Sequence, residues 1–409
     1  MRELYESVLP NGIRMVYQQI EGTHLVHCGV FLDVGSRDER EETQGITHFW
    51  EHLAFKGTKK RKAYQIISSI DSVGGELNAY TDKEKVVFFA SVRDEYFDRA
   101  IDVLSDIAFH SVFPEHEIEK ERGVILQEMA MYLDNPDDSL QDEFESVIYR
   151  NHPMGMNILG QKETVMRFHK RDFREFLNQR IDTRKIVFSC VGDLPPAHVE
   201  RAFQRYFNVK ATKRSVKRKS SGLYKPMKKQ LLRSVTQAKC AIGRPAYAVH
   251  HPDRFPFFLL VNMLGGPGMN SRLNMALREK HGYVYSIDAH YMAYSDTGMF
   301  AVFFGTVPGK LERCIELVQR ELDKFCEKPL TTRQLNAAKE QLKGQLAMAE
   351  ENNQSLMMMM GRSVLDTNSV PSVEEIFNII DDVSATDVNR VAQQMFNPNG
   401  LSYLTMVPD

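Results

Sequence analysis

The stretch FFASVRDEYFDRAIDVLSDIAF, residues 88–109, decides the fold once it is set beside MFAVFFGTVPGKLERCIELVQREL, residues 299–322. Both read as a strand running into a helix. Both carry acid-Arg-small-Ile at matching places, Asp98-Arg99-Ala100-Ile101 against Glu312-Arg313-Cys314-Ile315. A second pair follows at comparable distances, FPEHEIEKERGVILQEM (113–129) and PLTTRQLNAAKEQLKGQL (329–346). Self-similarity on this scale marks a duplicated unit. The expected class is therefore α+β, with two homologous domains, each a mainly antiparallel sheet packed with helices.

Length agrees, because 409 residues exceed one ordinary hydrophobic core. The expected cut is an N-terminal domain over 1–208, a basic linker over 209–229 and a C-terminal domain over 230–409. The linker, VKATKRSVKRKSSGLYKPMKK, is basic and poor in apolar residues. Its alternative reading is a polybasic contact site.

Within the first half, residues 7–34 read as a hairpin. The turn is Asn11-Gly12, and the buried strand HLVHCGVFLDVGS follows. Residues 43–56 read as a helix with Thr43 placed to cap it. AYQIISSIDSVGG reads as a second helix, ELNAYTDKEKVVFFASV as a strand pair and RKIVFSCVGDL as a further strand. PEHEIEKERGVILQEMAMYLDN reads as a helix, with Pro114 at a first-turn position and Asn135-Pro136 as its stop.

Composition excludes several classes. Hydrophobic residues make up 43%, charged residues 26%, and the net charge is −2, which gives no general attraction for nucleic acid. No apolar run reaches the length of a membrane span. The start, Met1-Arg2-Glu3-Leu4-Tyr5, has neither a signal nor a transit pattern, so a cytoplasmic location is expected. The five cysteines, Cys28, Cys190, Cys240, Cys314 and Cys326, form no CxxC pair and read as buried small hydrophobes.

The chemistry lies in His48-Phe49-Trp50-Glu51-His52. Two histidines four apart on a helix share one face and can reach one metal. Glu51 beside them can take a proton from water. The order His-x-x-Glu-His is the inverse of His-Glu-x-x-His and is a metallopeptidase signature. A third ligand is required, and KERGVILQEMAMY supplies Glu121 and Glu128 two turns apart. One of them ligates, and the other orients or adds charge.

These residues resemble the inverzincin family, which includes pitrilysin, insulin-degrading enzyme and the mitochondrial processing peptidase. GITHFWEHLAFKGT is similar to its zinc helix, GGELNAYTDKEKVVFF to its edge-strand motif and EKERGVILQEM to its third-ligand helix. HPMGMNILG and LGGPGMNSRLNMALREKHGYVYS also fit, so the resemblance covers nearly the whole chain. It implies that His48, His52 and Glu128 ligate one Zn2+ per subunit. It also implies that Glu51 is the base and that Glu121 supports the site. Trp50 departs from the smaller apolar residues usual there and is expected to point elsewhere.

Arg278 and Tyr285 occupy the positions that bind substrate backbone or stabilise the scissile carbonyl in the family. An arginine and a phenol are suitable donors to a developing oxyanion. Gly75, Asn78 and Ala79 are the expected substrate-binding edge, to which a peptide adds as another strand. Family members enclose their site within four domains, and this chain has two. The resemblance therefore implies a homodimer in which Arg278 and Tyr285 act in trans. The implied activity is a zinc endopeptidase. The alternative is a catalytically silent or partner-dependent subunit of the same fold.

Two further stretches have bland readings. Met357–Met360 reads as adaptable core. The acidic run Asp134, Asp137, Asp138 and Asp142 reads as a solvated loop, with a preference for basic substrates as the functional alternative.

Overall fold

The computed structural model describes residues 3–214 and 217–409. The sequence readings that rest on Met1 and Arg2, and on Ser215 and Val216 of the linker, lie outside the described residues. The strands are β1 (Leu4–Val8), β2 (Arg14–Gln19), β3 (Leu25–Leu32), β4 (Glu76–Thr81), β5 (Val86–Arg93), β6 (Ile186–Gly192), β7 (Lys228–Arg233), β8 (Ala238–Ala246), β9 (Val284–Ala293), β10 (Gly298–Thr306) and β11 (Ser402–Pro408). The helices of the first half are α1 (Ile46–Ala54), α2 (Ala63–Asp71), α3 (Phe97–Phe109), α4 (Glu115–Asp134), α5 (Pro136–Ile148), α6 (Lys162–Val165), α7 (Lys170–Arg180) and α8 (Pro196–Tyr206). Those of the second half are α9 (Arg254–Gly265), α10 (Leu311–Glu327), α11 (Thr332–Glu350), α12 (Asn353–Thr367), α13 (Val373–Asp382) and α14 (Ala385–Met395).

The duplication is visible in the topology. One sheet runs β1-β2-β6-β3-β5-β4 and the other β7-β11-β8-β10-β9. Numbered by chain order from β2 and from β7, both follow the order 1-5-2-4-3. Each contains a single parallel pair, β2 with β6 and β7 with β11. The remaining pairs are antiparallel. The quoted pair, 88–109 and 299–322, falls on β5–α3 and β10–α10. Among the described residues, β1 has no counterpart in the second sheet. The expected α+β class with two homologous domains holds.

Strand alternation explains why both faces of each sheet are covered. On β5, Val86, Phe88, Ala90 and Val92 point into one core with Phe49, Trp50 and Leu53 of α1. Val87 points the other way, to Leu356, Met357, Met360 and Val364 of α12. On β10, Phe300, Val302 and Phe304 join the core built with α9, α10 and α14, while Met299 and Ala301 meet Leu140, Phe144 and Val147 of α5. The methionine run is therefore core, with Met357 and Met360 fully buried. Burying such a side chain contributes about 1.5–3 kcal/mol.

That packing corrects the expected domain cut. The first compact unit is 1–130, 156–218 and 349–370; the second is 131–155, 219–348 and 371–409. A sheet with two apolar faces needs two covers. The helix following the long α4 covers the second sheet, and the helix following the long α11 covers the first. A contiguous cut at the linker cannot describe this exchange.

Three local expectations also change. The hairpin is β1–β2 alone, turning at Gly12 with φ 91°, while β3 lies between β5 and β6. The acidic run is not a loop. Asn135 caps α5 by accepting from the Asp137 amide at 3.1 Å, Pro136 takes its first turn, and Asp137 pairs with Lys239 at 2.7 Å. The basic linker is not a free spacer: Arg214 N–H donates to Asp182 at 3.0 Å and Arg218 forks onto Asp38 at 3.0 and 2.8 Å. Among the described residues, no helix is long and apolar enough to cross a membrane.

Candidate metal centre

The site begins at the N-terminus of α1. Gly45 caps it with φ 91°, and a Cβ there would meet the Leu159 carbonyl oxygen at 2.6 Å, so the position requires glycine. The carboxylate of buried Glu39 accepts from the amides of Gly45 and Thr47, both at 2.8 Å. It thereby satisfies two donors that a helix start leaves open. Burial pushes the Glu39 carboxyl up to about 8, against the pull of Thr47 and the two amides. This corrects the expected helix over 43–56. Thr43 ends a short turn over Glu41–Thr43 instead, and its hydroxyl accepts from the Arg40 amide at 3.0 Å.

Ile46, Phe49, Trp50 and Leu53 take the core face of α1. Trp50 packs edge-on against Phe88 at 5.7 Å, away from the chemistry as expected. His48, Glu51 and His52 are left to face α4 and β4. Nε2 of His48 lies 3.6 Å from Oε2 of Glu128, and Nε2 of His52 lies 3.4 Å from the same oxygen. The three residues offer ligand atoms within 4.8 Å of one another.

That arrangement fits zinc on its own terms. Atoms about 2.0–2.1 Å from a tetrahedral zinc lie about 3.3–3.4 Å apart, close to the two separations seen. Two imidazoles and a carboxylate also make a donor set that leaves a coordination position open. His52 Nδ1 meets Oε2 of Glu121 at 3.1 Å, which commits its proton there and frees Nε2 as a ligand. Lys56 Nζ holds the other Glu121 oxygen at 2.6 Å.

The local electrostatics follow from burial and neighbours. Burial and the adjacent His52 push His48 down to about 4, against Glu128. Burial also lowers His52, but Glu121 and Glu128 outweigh it and carry it up to about 9. Glu128 is lowered, first by its contact with His52. Glu51 is raised, chiefly by burial, although Thr81 donates its hydroxyl to Glu51 Oε2 at 2.5 Å.

Known proteins share this plan. Residues 14–162 match the family model described as Insulinase (Peptidase family M16), and residues 167–342 match Peptidase M16 inactive domain. The Bacillus subtilis (strain 168) protein named "Uncharacterized zinc protease YmxG" is 34% identical over 390 residues, covering 94% of each chain. The chain belongs to peptidase family M16. An "Uncharacterized zinc protease" of Rickettsia felis is 32% identical over 396 residues, covering 96% of this M16 chain and 94% of its own. A crystal structure of a Helicobacter pylori protease superposes with a TM-score of 0.90 at 21% identity, over 100% of both chains. The Pseudomonas fluorescens structure of a "peptidase M16 inactive domain" gives 0.91 at 16% identity, over 99% of this chain and 98% of its own. At those identities the two structures establish the M16 fold alone.

Not every sequence expectation gathers at the M16 centre. His48, His52, Glu51, Glu121 and Glu128 do. Among the described residues, β4 is an edge strand, paired only with β5. Gly75 precedes it and is a packing position, since a Cβ there would meet Val92 at 2.7 Å. Ala79 and Thr81 share the α1 face of β4 by alternation, so Asn78 points to the opposite face. The Asn78 side chain accepts from the amide of Ala79 at 2.8 Å. Arg278 and Tyr285 belong to the second unit, where the guanidinium lies 5.8 Å from the ring centre and Tyr285 is 85% exposed. Glu39, Lys56 and Thr81 were missed by sequence reasoning. Of these, Lys56 and Thr81 lay in quoted motifs and Glu39 did not.

Proposed function

We propose that this M16 chain is a zinc endopeptidase that hydrolyses peptides or unfolded polypeptide segments. The observation that carries the proposal is the convergence of two imidazole nitrogens on one carboxylate oxygen at 3.4 and 3.6 Å, with Glu51 on the same turn of α1. The names of the Bacillus and Rickettsia relatives support it. His48, His52 and Glu128 would hold the ion, one per subunit. Zinc, when bound, supplies a Lewis acid that polarises a carbonyl and makes water more acidic.

The chain's own groups do the rest. Glu51 takes a proton from the attacking water and returns it to the leaving amine. Its Oε2 is held by Thr81, so Oε1 is the oxygen available for transfer. Its raised pKa suits a group that must both accept and release a proton. Glu121 fixes the His52 ring. The free edge of β4 receives an extended peptide by strand addition. Arg278 and Tyr285 act in trans within a homodimer, donating to the substrate backbone or the scissile carbonyl oxygen. Five free cysteines, four of them buried, support a reducing compartment such as the cytoplasm.

The test is metal analysis beside a peptide-cleavage assay, with and without chelator, on wild type and Glu51→Gln. The proposal expects zinc in both proteins and chelator-sensitive cleavage in wild type only.

A further inference from the structure

The turn between β4 and β5 is built unlike an ordinary hairpin tip. Lys83, Glu84 and Lys85 are consecutive, charged and buried, with exposures of 2%, 2% and 7%. Surface turns place such residues in water. Here Asp82 accepts from the amides of Glu84 and Lys85 at 2.7 and 2.6 Å, which tightens the turn. Gly35 presses so closely on it that a Cβ would meet the Glu84 amide nitrogen at 2.5 Å.

Each buried charge is held by a different, distant segment. Lys83 Nζ donates to the Met156 carbonyl oxygen at 2.7 Å. Glu84 takes Arg37 at 2.5 Å, and Arg218 donates to its carbonyl oxygen at 3.1 Å. Lys85 pairs with Asp366 of α12 at 2.8 Å. One turn of α12 earlier, Arg362 donates twice to the Tyr80 hydroxyl, at 3.0 and 2.9 Å. Arg218 also forks onto Asp38 and reaches Asp33 at 2.8 Å. All of these contacts lie inside the first unit. Met156 and Arg218 are its terminal residues where the chain enters and leaves, and Asp366 stands four residues before another exit.

We infer that Arg218, in the basic linker, is a positioning residue that acts through the buried Lys83-Glu84-Lys85 turn to fix β4 for substrate. The consequence for chemistry is direct, because β4 ends in Thr81, which holds Glu51. Arg218 bonds to Asp33, Asp38 and Glu84, none of which is a candidate metal ligand. Charge-assisted bonds in a buried setting are strong enough to fix a strand that has only one pairing neighbour. The inference rests on the proposed function only for its kinetic consequence; the clamp itself is a property of the folded chain.

The experiment uses the full chain with Arg218→Gln, Arg218→Lys and Asp366→Asn. Hydrogen exchange of the metal-free proteins is read over 76–85 and, as control, over β6. Loss of one charged tie should speed exchange over 76–85 by about tenfold with β6 unchanged. Arg218→Lys should recover part of the protection. In the cleavage assay, KM for extended peptides should rise more than kcat falls. Unchanged exchange over 76–85 overturns the clamp, as does an equal rise across 76–85 and β6, which would mean a merely global role. If Arg218→Gln does not fold, Asp366→Asn is read by the same criteria. A wild type that cleaves no peptide, with the exchange pattern as expected, defeats the proposed function and leaves the clamp standing.

Discussion

Replacing Glu39 by alanine tests whether the metal helix is set from its N-terminus. The wild-type carboxylate is 4% exposed and accepts two amides of α1, both at 2.8 Å. Leaving two buried N–H groups without partners costs about 1–3 kcal/mol each, and relief from burying a carboxyl offsets part of that. The expected net loss is about 2–4 kcal/mol. For a unit of this size the first thermal transition falls by about 5–15 °C. Circular dichroism melts of the metal-free protein read it directly. The pH dependence gives a second check. Burial raises the folded carboxyl to about 8, above its unfolded value of about 4.3. The folded state therefore binds the extra proton, and this group's contribution is lost as pH rises from about 4.3 through 8. Glu39→Ala should flatten that part of the melting profile. A shift under about 2 °C, with an unaltered pH profile, would refute the reasoning.

Further outcomes follow from other contacts. Glu121→Ala removes the partner of His52 Nδ1 at 3.1 Å and should weaken zinc binding by about 10–100-fold in a competitive chelator titration. Met360→Ala empties a fully buried site beneath α12 and should destabilise the first unit by about 2–5 kcal/mol in denaturant melts, with zinc content unchanged. Mixing Glu51→Gln with Arg278→Ala subunits should restore part of the cleavage that neither homodimer shows. No restoration in verified mixed dimers would contradict action in trans.

The sequence carried the fold a long way because duplication writes five of the strands twice. The β5–α3 and β10–α10 pairing was legible from side-chain pattern alone. The exchange of α5 and α12 was not, because amphipathic periodicity states that a helix has an apolar face without stating which sheet it covers. The candidate metal residues were legible because ligation demands particular side chains at helical spacing. Glu39 escaped because its work is done through backbone amides, which leave no mark on the residues they belong to. The linker escaped for a related reason. Lysine and arginine in a polar stretch read as solvated, and only the acidic pocket of Asp33, Asp38 and Glu84 shows that Arg218 is anchored.

The central claim is that His48, His52 and Glu128 hold zinc beside a Glu51 that moves a proton. Zinc content measured alongside peptide cleavage, for wild type and Glu51→Gln, tests it most directly. The account predicts about one zinc per chain in both proteins and a rate reduced by about 10²–10⁴-fold in the variant. A zinc-free but active wild type, or a Glu51→Gln protein cleaving at the wild-type rate, would contradict it.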